Sequence, residues 1–214
     1  DAHHHFSFAE YHDPKRMHWG NLRVWNDDII APGTGFPQHP HRDMEIITYV
    51  REGAITHRDS MGNIGRTEAG DVQVMSAGTG VTHSEYNLED TQCRLFQIWI
   101  MPRERDVAPA WDQRKFPKAD RSGRFTVLAS GFGEDGALSI NADARVLGAT
   151  VGAGDSVEYE IGAGHHAYLV SATGRIRIDG EEFAPRDGVA IIGNGSPLAI
   201  EALDDAELVM VESI

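Results

Sequence analysis

Two pairs of ligand-type side chains recur at one spacing in this sequence. His39 and His41 flank Pro40 at the end of Gly33-Thr34-Gly35-Phe36-Pro37-Gln38, and further along His83 and Glu85 flank Ser84. On a β-strand, residues i and i+2 project to the same face. Two such pairs on facing strands would bring three imidazoles and one carboxylate around a single point. Neutral imidazole and carboxylate suit mid-row divalent metals, and this set leaves about two positions of a six-coordinate ion open to substrate or dioxygen. Such a site is expected to be catalytic or sensing. A structural zinc site closes at four ligands and often uses cysteine, whereas the single Cys93 lies outside both pairs. Iron(II) is the first expectation for the ion, with manganese, nickel, copper and zinc as alternatives.

The elements that must carry these pairs read as strands. Asn21–Asn26, Glu45–Val50, Ala54–Asp59, Val72–Met75 and Leu95–Ile100 are short runs rich in β-branched and aromatic residues. Asp27–Gly33, Ser60–Asn63, Glu68–Asp71 and Ser76–Thr82 read as turns or glycine-punctuated loops, the last delivering His83. Residues 1–20 read as an irregular arm with a short strand near Phe6–Phe8, and residues 102–122 as a long polar connection. Further strand patterns follow at Phe125–Leu128, Ala144–Val151, Ser156–Glu160, Ala167–Val170, Gly174–Gly180, Gly188–Ile192 and Glu207–Val211. Strands at this interval indicate an all-β sandwich or barrel. The order of glycine turns after Glu52-Gly53 resembles that after Thr173-Gly174, which suggests an internal duplication into two small barrels. The expected domains are 1–118, carrying the metal and the arm, and 119–214, a degenerate copy without one. His165 and His166 are adjacent and would face opposite ways on a strand, and no histidine follows them. One ion per chain is therefore expected.

Composition narrows the function classes. With 214 residues and 24% charged residues, the chain has the makings of a packed core. Its net charge of −14 argues against direct nucleic-acid binding. No apolar run of about 18 residues is present, so no membrane helix is expected. The chain opens on Asp1, so a few residues are expected to precede it, and His3-His4-His5 are read as native. The amino terminus lacks the plan of a signal peptide. With one cysteine, this suggests the cytoplasm. Cys93 reads as a buried small hydrophobe, and Trp25, Phe96 and Trp99 as core. His57-Arg58-Asp59 reads as a solvated strand end, and His3, His4, His5, His12 and His18 as members of the arm, packing over the barrel.

The motifs resemble a known family. Gly33 followed by His39-Pro40-His41 and Glu45 resembles the first cupin motif, and Gly70, the Gly78 loop, His83 and Asn87 resemble the second. The likeness is closer to pirins: His39-Pro40-His41-Arg42-Asp43-Met44-Glu45, Gly70–Gly78, His83-Ser84-Glu85, Phe6–Ala9 and Arg23–Asp28 all match that pattern across residues 5–100. Ser76 stands where general cupins have proline, and four residues separate Gly78 from His83, as in the pirin branch. The resemblance implies a bicupin, two tandem antiparallel β-barrels, with one iron in the amino-terminal barrel. It also implies quercetin 2,3-dioxygenase activity on an enolic, aromatic substrate with dioxygen. The alternative is a metal-dependent regulatory protein acting through protein partners, and a sugar-isomerase type of cupin ranks lower. General cupins use the carboxylate matching Glu45 and pirins the one matching Glu85. Geometry agrees with the latter: Glu85 lies about 7 Å from His83 along a strand, Glu45 about 13 Å from His41. The expected ligands are His39, His41, His83 and Glu85, with Glu85 also a catalytic proton acceptor and Glu45 in a supporting role.

Overall fold

Short β-branched and aromatic runs between glycine-bearing turns become strands throughout, and the one helical element is the 3-10 turn Lys118–Arg121. The computed structural model describes residues 1–214. In chain order the strands are β1 (Ala2–His4), β2 (Leu22–Ile30), β3 (Gly35–His41), β4 (Glu45–Glu52), β5 (Ala54–Asp59), β6 (Ile64–Glu68) and β7 (Val72–Ser76). They continue with β8 (Val81–Tyr86), β9 (Cys93–Ile100), β10 (Ala110–Arg114), β11 (Thr126–Ser130), β12 (Leu138–Ser139), β13 (Ala144–Val151) and β14 (Ser156–Glu160). The last are β15 (His166–Thr173), β16 (Ile176–Ile178), β17 (Glu181–Phe183), β18 (Gly188–Ile192), β19 (Pro197–Ala202) and β20 (Ala206–Ser213).

The chain divides into two compact units. One comprises residues 1–18, 22–116 and 138–142, the other residues 19–21, 117–137 and 143–214. In the first, a sheet of order β1-β2-β9-β4-β7-β10 packs on a smaller one of order β3-β8-β5-β6, with every assigned strand pair antiparallel. The second repeats the plan, with β13-β20-β15-β18 against β14-β19-β16-β17. Each is a cupin-like barrel, so the architecture is all-β and duplicated. No helix is long and apolar enough to cross a membrane.

Side chains of both sheets meet inside the first barrel. Ile30, Val50, Cys93 and Leu95 of the larger sheet pack with Ile55 and Phe36 of the smaller one at one end. Above them runs a polar row in which neighbouring strands contribute Asn26, Gln97, Thr48 and Gln73 in register. In the second barrel the row Leu147, Met210, Leu169, Val189 is wholly apolar and belongs to one large core.

Four expectations change. The arm's strand is β1, and Phe8 makes only an isolated bridge to Tyr11. Asp27 and Asp28 do not begin a turn; β2 runs through them to Ile30, and Asp27 is buried in an ion pair with Arg51 at 2.6 Å. The polar connection contains β10, an edge strand whose mostly exposed side chains carry no hydrophobic period. A strand at 197–202 begins on Pro197, a position where a missing N–H costs no ladder bond.

Candidate metal centre

Strands β3 and β8 pair so that His39 lies opposite His83 and Phe36 opposite Glu85. Two residues separate Phe36 from His39 but only one separates His83 from Glu85, so β3 carries a one-residue bulge at Pro37-Gln38. The bulge lets Phe36, His39 and His41 share one face with His83 and Glu85. Gly35 permits the close pairing, because a Cβ there would overlap the backbone of Glu85. Gly78, at φ +46°, turns the loop that leads into β8.

The three imidazoles converge. Ligand atoms of His39, His41 and His83 all lie within 4.8 Å of one another, and the Nε2 atoms of His39 and His83 are 3.1 Å apart. His39 Nδ1 sits 2.7 Å from the Pro37 carbonyl, which only accepts, so that nitrogen carries the proton and Nε2 is the free lone pair. His41 packs edge-on against Trp99 at 5.0 Å. Burial and the neighbouring His39 push His41 down to about 4; burial, then His39, His41 and His57, push His83 down to about 3. Both rings are neutral at pH 7, the form that binds metal.

Glu85 reaches inward from the same face and is 2% exposed. Its Oε1 accepts from Gln73 Nε2 at 2.5 Å and from Thr48 Oγ1 at 3.2 Å, and its Oε2 accepts from Gln97 Nε2. Burial raises its pKa to about 7 against these bonds. Its carboxylate groups within 4.8 Å of His83 and His57, not with His39 and His41. Three imidazole nitrogens, with a carboxylate held by two amides beside them, are donor types that suit a mid-row divalent ion.

A cavity of about 100 Å³ opens above these residues. Phe8, Phe36, Ile46 and Trp99 give it apolar walls, and Asn26, Asp28, Gln97 and the histidines give it polar points. His4 also lines it, its Nδ1 2.8 Å from Asn26 Oδ1, so the arm does pack over the barrel here. Trp25 and Phe96 are core, but Trp99 belongs to the cavity wall. Glu45 is buried beneath, accepting from Ser76 Oγ at 2.6 Å and from the Asn141 N–H at 3.0 Å.

Known proteins sort the chain at this point. Residues 1–100 match the family model described as Pirin, and residues 127–212 match one described as the quercetinase C-terminal cupin domain. A pirin-like protein of Caulobacter vibrioides is 59% identical over 213 residues, covering 99% of this chain and 91% of that protein. The chain belongs to the pirin family. Another relative, a quercetin 2,3-dioxygenase of Escherichia coli, is 40% identical over 99% of this chain and 90% of its own length. The crystal structure of the bacterial pirin YhhW from Escherichia coli, in complex with nickel(II), superposes with a TM-score of 0.92 at 38% identity. That match covers 100% of this chain and 91% of the other.

Besides Trp99, a second sequence expectation fails at this pirin's centre. His57-Arg58-Asp59 is not a solvated strand end: His57 is 1% exposed, and on β5 it lies directly opposite Glu85, with Asp59 opposite His83. Its i,i+2 spacing with Asp59 is the same signal that marks the other two pairs. The interior amides Gln73 and Gln97 carried no such signal, because a glutamine within a strand reads as an outward position. In the second barrel, the pair β14–β19 that repeats β3–β8 presents Val157, Tyr159, Leu198 and Ile200 toward an apolar core. Both groupings of three metal-capable side chains lie in the first barrel.

Proposed function

We propose that this pirin-family chain is a mononuclear-metal dioxygenase that cleaves flavonol-like, enolic aromatic substrates. Its ion would be held by His39, His41, His83 and Glu85. The observation that carries this reading is the convergence of three imidazoles, two of them held neutral by burial and their neighbours, at the floor of an aromatic-walled cavity. Iron(II) is the preferred ion; the nickel(II) complex of the Escherichia coli pirin makes nickel the next choice. When bound, the ion supplies Lewis acidity toward an enolic hydroxyl and open positions beside it.

The chain's own residues do the rest. Phe36 and Trp99 offer flat apolar surfaces to an aromatic ring at the cavity wall. Glu85, raised to about 7, is poised to take a proton from a substrate hydroxyl near neutral pH.

The test is reconstitution with iron(II) under argon, addition of quercetin and oxygen, and measurement of flavonol absorbance and released carbon monoxide. Turnover well above that of free iron is expected, and a rate equal to free iron overturns the enzymatic reading. Tight metal binding without turnover, together with protein capture that depends on iron oxidation state, would favour the regulatory alternative.

A further inference from the structure

His57 takes no part in the ligand set above, yet its placement is highly specified. Its Nε2 lies 3.0 Å from Asp59 Oδ2, and both side chains are buried. Asp59 is itself fixed: Oδ1 accepts from the Met61 and Asn63 N–H groups at 2.9 and 3.0 Å, and Oδ2 accepts from Asn63 Nδ2 at 2.8 Å. Trp111 stacks on the His57 ring with centroids 4.9 Å apart and planes 11° from parallel. The Trp111 ring occupies the space that a side chain at Gly65, the cross-strand partner of His57, would fill. On its remaining side, His57 Nδ1 faces His83 Nδ1 at 3.4 Å.

These contacts fix a chain of protons. An ionised Asp59 only accepts, so neutral His57 carries its hydrogen on Nε2 and offers a lone pair at Nδ1. The hydrogen between the two Nδ1 atoms then belongs to His83. Its Nε2 is left as a lone pair aimed at His39 Nε2, whose own tautomer the Pro37 carbonyl sets. We propose that His57, clamped by Asp59 and Trp111, is a positioning residue that fixes the tautomer and ring plane of His83 for metal binding. A histidine relayed to a carboxylate takes the place of the direct carbonyl or carboxylate partner that usually orients a metal-bound imidazole. The relay strengthens His83 as a donor because Asp59 polarises His57, which polarises the His83 N–H. The inference rests on the metal reading above and concerns how one of its ligands is held.

Two measurements test it on the intact chain. Long-range proton–nitrogen NMR correlations on the zinc-loaded wild type should show His83 protonated at Nδ1 and His57 at Nε2; the reverse tautomer at His57 overturns the proposal without any variant. Zinc affinity is then measured by competition with a chromophoric chelator. His57→Phe should bind about 10- to 100-fold more weakly. His57→Gln, which can accept from His83 and donate to Asp59, should recover most of that loss. The iron-loaded His57→Phe protein should also show a midpoint potential higher than wild type, since His83 is then a poorer donor. Equal affinity and potential in wild type and His57→Phe overturn this inference alone. A wild type that binds no ion overturns the metal reading as well.

Discussion

At the scale of single residues, the centre's groups pull the pH dependence of the metal-free protein in opposite directions. His41 and His83 are held at about 4 and about 3, below the 6.5 of a free histidine. Between roughly pH 4 and 6.5 the unfolded chain therefore binds more protons, and stability rises with pH. Glu85 and Asp28 are raised to about 7 from 4.5 and 3.8, in both cases chiefly by burial. Over their window the folded chain binds more protons, and stability falls as pH rises. Glu85→Gln removes one of the falling contributions. The metal-free variant should gain stability more steeply than wild type between about pH 5 and 7, by up to about 1.4 kcal/mol per pH unit. Urea unfolding across that range checks this, and parallel curves would mean that Glu85 does not titrate as described.

At the scale of elements, the β3–β8 pair is what turns two sequence motifs into one site. Gly35→Ala places a methyl group against the Glu85 backbone and should push β3 away from β8. A loss of about 2 kcal/mol in urea unfolding and weaker zinc binding are expected. The corresponding strands of the second barrel have a different anchor. Glu212 accepts from Tyr159 Oη at 2.6 Å, His165 Nδ1 at 2.8 Å and the Gly162 N–H at 3.1 Å, with Arg145 at 3.7 Å. Burial raises its pKa, but those hydrogen bonds and Arg145 outweigh it and hold the carboxyl below its ordinary 4.5. Its stabilisation is thus present above pH 4.5 and lost as pH falls through the lowered value. Glu212→Ala should cost about 3 kcal/mol at pH 7 and progressively less below pH 4.

Elements also explain what could be read beforehand. The His39/His41 and His83/Glu85 pairs were legible because the two-residue strand period is strict and both motifs follow glycine turns. The bulge was not, since a proline within a strand marks either an edge or a bulge, and Pro37 on the edge strand β3 satisfies both. His57 was misread because Arg58, Asp59 and the turn at 60–63 are the composition of a solvated end, while burial came from β8 and Trp111, distant in sequence. The row Asn26, Gln97, Thr48, Gln73 was missed for a related reason: polar residues in strands ordinarily face water, and only a buried carboxylate gives them a reason to face inward.

At the scale of the whole molecule, the duplication separates two tasks. The first barrel keeps a polar row, a buried carboxylate and a cavity, while the second fills the same architecture with Leu147, Met210, Leu169 and Val189. A barrel that held no ion would need no polar interior, and an apolar core gains the full hydrophobic contribution. Elemental analysis of purified protein should therefore return one ion per chain, and a ratio of two would contradict this division.

The central claim is that His39, His41, His83 and Glu85 hold that ion, and metal content across carboxylate variants tests it most directly. Wild type, Glu85→Ala and Glu45→Ala are produced side by side, checked for folding by circular dichroism, and measured by mass spectrometry for iron and nickel. Glu85→Ala is expected to retain little metal. Glu45→Ala, whose carboxylate instead engages Ser76 and Asn141, is expected to retain nearly all of it. A folded Glu85→Ala that keeps its ion while Glu45→Ala loses it would contradict the assignment.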